Sequence, residues 1–240
     1  MLSFQKKIGE TPLEMLDRLR VEKPEYKNHK LSYAGRLDPM AYGEMLVLVG
    51  DENKKYKDYL GYDKEYEATF IFGFETDTGD ILGILKNSDN LKIDDDFFLN
   101  ENIQEQIENF KKIKKQKYPW FSSMVVDGLK LFDHFKKGNL NIERPDRKVD
   151  IKEIELVESG TIKNVELQKY IFENIGKVKG DFRQKEIKER WHSFFNSNDQ
   201  DFYTAKVRIL VSTGTYIRSL TEEFEHPATL LKLRRTKIYV

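Results

Sequence analysis

The 240-residue chain carries 41 Lys+Arg against 41 Asp+Glu, is 39% hydrophobic and holds 16 Phe and 12 Tyr. That is bulky material enough for one large domain or two small ones, and it excludes a charge-dominated disordered polymer. Zero cysteines exclude disulfides, thiolate nucleophiles and sulfur-bound zinc, and the four His form no metal motif, so no metal is expected.

No run approaches the ~18 apolar residues that cross a bilayer, so a soluble, cytoplasmic chain without membrane association is expected. Thr11-Pro12-Leu13-Glu14 reads as a capping box with proline at the first helical position, starting a helix that carries Leu13, Leu16 and Leu19. Tyr66, Ala68, Phe70, Phe72 and Phe74 alternate as one side of a strand. A charged segment from about Glu166 to Asp199, with Ile187, Trp191 and Phe195 at helical spacing, reads as an insertion. Ala205, Val207, Ile209 and Val211 alternate as a second strand. Ser212-Thr213-Gly214-Thr215 then turns the chain into a helix carrying Ile217, Leu220 and Phe224, with Arg218 in its first turn.

The zero net charge hides a separation of sign. Residues from Glu75 to Glu108 hold ten acids against two lysines, whereas Lys111 to Gly138 hold eight lysines against two aspartates. Lys206 to Val240 hold seven cations against three acids. Aromatics accompany both basic stretches: Tyr118, Trp120 and Phe121 in one, Tyr216 and Tyr239 in the other. Lysines among stackable rings suit an RNA-binding face, and a solvated lysine-rich surface fits the composition equally well.

The stretch with the most chemical content is Gly35-Arg36-Leu37-Asp38-Pro39-Met40-Ala41-Tyr42-Gly43. Pro39 fixes its own φ and restricts Asp38 to extended backbone, so a single carboxylate is framed in a rigid turn. On pattern alone such an Asp is an ordinary turn residue. The stretch nevertheless resembles the G-x-L-D-P-x-A-x-G loop of the TruB-type pseudouridine synthases (the tRNA pseudouridine 55 synthase family), and further blocks follow in that family's order. Lys64-Glu65-Tyr66 is similar to its K-x-Y strand, and Gly73 to Asp80 to its G-x-x-T-D-T-x-D segment. Gln116 to Gly128 resembles its Q-x-P-P-x-[YF]-S-A block, Gly214-Thr215-Tyr216-Ile217-Arg218 its G-T-Y-I-R motif, and Leu233-Arg234-Arg235 its closing L-R-R.

The resemblance implies an α+β fold with a mixed, mostly antiparallel central sheet flanked by helices. The chain is expected to be a single catalytic domain over residues 1–240 with the insertion at about 166–199; the family usually continues into a small C-terminal PUA-like RNA-binding domain, which this chain is expected to lack. The implied activity is conversion of a uridine of tRNA, at T-loop position 55, to pseudouridine by a monomer without cofactor or metal. Breaking the bond from ribose to uracil N1, turning the base and joining C5 to the sugar involves no redox change. It does need an anion against sugar and base, and the implied catalytic residues are Asp38, Arg218 as the cation that keeps it ionised, and Tyr66 beside the flipped base. Tyr33, Arg36, Lys64, Tyr216 and Leu233 are the implied substrate-binding set. Tyr66 also reads as an ordinary strand tyrosine, Lys64 and the Lys111 to Lys117 cluster as solvated charges, and Leu233 as core.

Tyr33 stands where the family has a histidine, Val125 where it has a lysine, and the D-K-P-x-G opening is reduced to Gln5-Lys6-Lys7-Ile8-Gly9. Tyr33 serves either as a wedge replacing the extruded base or as simple packing beside the loop. The Tyr33 and Val125 changes, with the expected lack of the C-terminal domain, keep a rival open, a catalytically weak RNA-binding or tRNA-folding protein on the same scaffold. A glycosidase reading would need two carboxylates, for which Asp77 and Asp80 are the available pair.

Overall fold

The computed structural model describes residues 1–86 and 102–240; the middle of the acidic stretch from Glu75 to Glu108 lies outside them. The chain opens with β1 (Leu2–Lys6) and α1 (Pro12–Glu22), followed by β2 (Leu31–Ala34), β3 (Tyr42–Val49), α2 (Tyr56–Leu60) and β4 (Asp63–Phe72). After α3 (Asn102–Asn109) come the short strands β5 (Lys115–Lys117), β6 (Val125–Val126) and β7 (Leu129–Lys130), then α4 (Leu131–Lys136) and β8 (Asp146–Lys148). The last part is β9 (Ile151–Ile162), α5 (Asn164–Lys177), α6 (Gln184–Ser197), β10 (Phe202–Val211), a 3₁₀ helix (Ile217–Glu223) and β11 (Ala228–Tyr239).

One seven-stranded sheet runs in the order β1-β3-β11-β4-β10-β9, with β2 also on β3. Its only parallel pairing between two strands among the described residues is β3 with β11, over Tyr42/Arg234 and Gly43/Arg235, and Asp80 adds a single parallel bridge to Leu230 of β11. The fold is therefore α+β, with a mixed and mostly antiparallel sheet. No helix among the described residues is long and apolar enough to cross a membrane.

Local chemistry explains most elements. Thr11 Oγ1 accepts from Glu14 N at 3.2 Å while Glu14 Oε2 accepts from Thr11 N at 2.7 Å, closing the capping box of α1. The buried row of α1 is Pro12, Met15, Leu16 and Leu19. Leu13 lies one residue step, about 100°, off that row, and it faces solvent at 64% exposure instead of entering the core. In β4 the expected alternation holds through Phe70, after which Ile71 and Phe72 are both buried; Phe74 lies past the strand end, its ring 5.2 to 5.4 Å from those of Trp191, Phe194 and Phe202.

The helix expected after Thr215 is a 3₁₀ segment ending at Glu223. At three residues per turn Ile217 and Leu220 stack inward. Phe224 sits beyond it in extended backbone and meets Phe70, Phe72 and Phe110 at 5.0 Å. The charged segment from Glu166 to Asp199 is the helical pair α5 and α6, which connects the antiparallel neighbours β9 and β10. Its buried Leu167, Ile171, Ile175, Ile187, Trp191, Phe194 and Phe195 belong to the main core.

The parallel contact between β3 and β11 requires a glycine. Gly43 has φ +110°, and a Cβ there would lie 2.2 Å from the carbonyl oxygen of Arg235. Gly43→Ala is expected to cost at least ~2 kcal/mol, since both the conformation and the close approach oppose a side chain. Urea unfolding measures it, and a midpoint equal to that of the unaltered chain would show that β11 does not press on β3 there.

Candidate active site

The loop 35–41 between β2 and β3 is fastened from three directions. Gly9 N donates to Pro39 O at 2.8 Å, and the Lys6 ammonium donates to Ala41 O at 2.6 Å and Lys7 O at 3.1 Å. Arg235 Nη2 donates to Gly35 O at 2.9 Å and its Nε to Glu44 O at 2.6 Å. Leu37, Met40 and Ala41 bury their side chains in the core. Asp38 is left between these anchors with its carboxylate 39% exposed. Lys6 is itself almost fully buried, and desolvation lowers its pKa to about 8 despite the opposing charge of Asp38.

Across 180 residues of sequence, Arg218 meets that carboxylate. Its Nε and Nη2 donate to the same oxygen, Asp38 Oδ2, at 3.1 and 2.9 Å. Nη1 donates to Thr78 O at 2.7 Å and Nη2 also to Phe121 O at 3.2 Å. Asp38 Oδ1 receives no hydrogen bond among the described residues. A second carboxylate, Asp80, stands 3.6 Å from Arg218 Nε, with both side chains buried. Burial works against the Arg218 charge, but Asp38 and then Asp80 outweigh it and raise its pKa. Burial raises the Asp80 carboxyl to about 6, opposed by Arg218 and reinforced by Asp38.

Tyr216 adjoins this pair. The Gln116 amide grips its backbone on both sides, accepting from Tyr216 N at 3.0 Å and donating to Tyr216 O at 3.2 Å. Its hydroxyl pKa is raised by burial and next by the charge of Asp38. Tyr66, in β4, is 6% exposed; its ring lies 6.0 Å from the Arg235 guanidinium and its hydroxyl makes no hydrogen bond to the described residues. Leu233 is buried in the core, and Tyr33 in β2 packs partly buried against it. Arg36 is exposed and has no described partner.

Lys64 departs from the solvated reading, because its side chain is buried. It is 5% exposed, its ammonium donates to Tyr62 O at 2.5 Å and Leu60 O at 3.3 Å, and burial lowers its pKa to about 8. In the Lys111 to Lys117 cluster, Lys111 pairs with Glu108, Lys112 with Asn109 and Lys114 with Asp150, each at 2.6 Å. Asp77 and Asp80 separate in role. Asp77 pairs with Arg183 at 2.6 Å, while Asp80 belongs to Arg218. Sequence reading had not assigned Lys6, Asp80, Gln116 or Arg235 to the site. Asp80, Gln116 and Arg235 fall inside the quoted motif blocks and Lys6 inside the reduced opening segment, which is the available signal. No group of three or more His, Asp or Glu among the described residues is arranged to hold a metal ion.

The fold has a counterpart among solved structures. A crystal structure of a Cbf5-Nop10-Gar1 complex superposes with a TM-score of 0.52 at 18% identity, covering 98% of this chain and 47% of that one, which establishes the same fold. Residues 23–171 match the TruB family pseudouridylate synthase (N terminal domain), and the chain belongs to that family. It is 35% identical over 142 residues to the tRNA pseudouridine synthase B of Fusobacterium nucleatum subsp. nucleatum, covering 59% of this chain and 47% of that protein. With that of Oceanobacillus iheyensis it is 28% identical over 216 residues, 88% of this chain and 57% of the relative. The chain thus spans about half the length of the curated relatives it matches.

Proposed function

We propose that this chain is the catalytic part of a tRNA pseudouridine synthase that isomerises a uridine in the T-loop, at position 55. The observation that carries the reading is the Asp38–Arg218 pair. A carboxylate is fixed by a guanidinium fork on Oδ2, its second oxygen stays free, and its side chain is open enough to meet a ligand. That free oxygen faces C1′ or the uracil ring as the glycosidic bond breaks, either forming a covalent bond or stabilising the positive charge on ribose.

Rotation then presents C5 to C1′, the new C–C bond forms, the C5 proton leaves and N1 gains one, so the reaction balances as an isomerisation. The Tyr66 ring offers a stacking face and its unpaired hydroxyl a route for the C5 proton. The target base must first leave the RNA stack, at about a few kcal/mol, which a loop makes cheaper. On this reading the chain works in the cytoplasm as a monomer without metal or cofactor.

The test is incubation of the chain with a tRNA transcript followed by mapping of pseudouridine. Conversion at position 55 is the expected result, and absence of pseudouridine at every uridine overturns the reading.

Asp80 adds a pH signature. Its carboxyl titrates near 6, so ionised Asp80 lowers folding stability above that pH, and the cost is relieved as pH falls through it. Turnover is expected to run the opposite way, because protonated Asp80 stops countering Arg218 from its second side. A kcat profile from about pH 5 to 8 should show an acid limb near 6. Asp80→Asn should lose roughly tenfold at pH 7.5 and flatten that limb. An unchanged midpoint in the variant would detach the limb from Asp80.

A further inference from the structure

One cation beside this site has no part in the chemistry above. Arg147 lies in β8, where it is paired with Gln116 of β5, the residue that grips Tyr216. Gly214 of the G-T-Y-I-R turn has φ +82°, and a Cβ there would fall 1.7 Å from Arg147 Cζ. The guanidinium therefore occupies the room a side chain at 214 would take. It lies 5.8 Å from the centre of the Tyr118 ring, and Tyr118 in turn meets the Tyr216 ring at 5.9 Å.

Two long hydrogen bonds hold it, from Nη1 to Tyr118 Oη at 3.3 Å and from Nη2 to Thr213 O at 3.4 Å. Both acceptors are neutral, and three of a guanidinium's five N–H groups are left over. No carboxylate pairs with Arg147 among the described residues, although it is half-buried. Its charge reaches Tyr216, which also feels Asp38, and it reaches buried Lys64. An uncompensated, partly desolvated guanidinium is costly without an anion, yet stacked and pinned it is preorganised for one. The planar fork matches a phosphodiester, the one anion an RNA substrate brings to every nucleotide.

We propose that Arg147 is a phosphodiester-binding residue that grips the RNA backbone beside the nucleotide entering the Asp38 site. This rests on the reading of the chain as an RNA uridine isomerase and adds a contact that sets affinity, not chemistry.

The test is equilibrium binding of a tRNA transcript in an Asp38→Asn background, which prevents turnover, with and without Arg147→Gln. Plotted as log K against log salt, the slope should become shallower by about 0.7 to 0.9, the loss of one phosphate contact. Arg147→Lys should keep the slope, since the point charge remains. With Asp38 intact, Arg147→Gln should raise KM about tenfold and leave kcat within about twofold.

An unchanged slope in Arg147→Gln overturns the proposal, as does a kcat loss at constant KM, which would mark Arg147 as a prop for the Gly214 turn. A Lys variant that behaves like Gln also overturns it, because shape at Gly214 would then matter in place of charge. The slope is independent of product formation. A chain that binds tRNA through Arg147 yet makes no pseudouridine sinks the enzyme reading and keeps the phosphate contact. A chain whose tRNA binding is insensitive to salt sinks the phosphate contact and leaves the enzyme reading to the pseudouridine assay.

Discussion

Asp38→Asn is expected to remove pseudouridine formation by about 10⁴-fold or more, some 5.5 kcal/mol of barrier, while the fold and tRNA binding persist. The substitution replaces one oxygen with an amide nitrogen and leaves the size of the side chain unchanged. The remaining oxygen still accepts from Arg218, so the fork that now meets Oδ2 keeps its partner. Arg218 is not stranded either, because Asp80 stays 3.6 Å away and the carbonyls of Thr78 and Phe121 still accept from it. A buried guanidinium with one carboxylate and two carbonyls avoids the 3 to 5 kcal/mol penalty (roughly) of an uncompensated buried charge. What disappears is the anionic free oxygen. Single-turnover assays on saturating tRNA, with thermal unfolding in parallel, separate the two effects. Residual turnover above roughly 1% of the unaltered rate would remove Asp38 from the chemistry. Unaltered protein that binds and refolds tRNA without ever making pseudouridine would favour the RNA-folding alternative.

Local features were readable where their cause is local. Thr11 and Glu14 satisfy each other within one turn, so four residues announce α1. Period-two burial in β4 and β10 is likewise written into single stretches, but their pairing with each other and with β11 is not. The same logic shows what was available yet unread. Lys64 has the parity of Tyr66, Ala68 and Phe70, so the alternation itself places it inward. Its charge invites the surface reading, and the carbonyls that make burial tolerable, Leu60 at the end of α2 and Tyr62 just before β4, lie at a junction that no pattern specifies. Asp38 and Arg218 are 180 residues apart, and nothing in spacing or periodicity selects that arginine; only the ordered motif blocks joined them. Asp77 and Asp80 look alike in sequence, and their separation depends on two arginines reaching them from different elements, Arg183 at the head of α6 and Arg218 from the 3₁₀ helix. Such partnerships are tertiary, decided by which chain segments the sheet brings together.

Arg218→Lys is expected to lower kcat by about 10³-fold, roughly 4 kcal/mol of transition-state stabilisation, with a much smaller change in KM. The charge survives, so any account resting on net charge alone predicts little loss. Shape decides the outcome. Arg218 spreads its donors in one plane and serves Asp38 Oδ2 twice, Thr78 O, and Phe121 O, with Asp80 at its Nε edge. An ammonium is a single point with three tetrahedral donors on a shorter reach, and it cannot meet partners spread around separate edges of the guanidinium. If the lysine stays with Asp38, the half-buried Thr78 and Phe121 carbonyls lose their donor and Asp80 loses its cation. If it turns to Asp80, Asp38 is free to swing from the orientation that exposes Oδ1. Either way the carboxylate is less fixed, and a stability loss of about 1 to 3 kcal/mol accompanies the unpaired groups. Weaker compensation of Asp80 carries a second consequence. Arg218 is the largest influence holding its pKa down to about 6 against burial, so in the lysine variant the acid limb of kcat should move to higher pH. Near-normal kcat with an unmoved limb would mean that the fork between Arg218 and Asp38 plays no part in turnover.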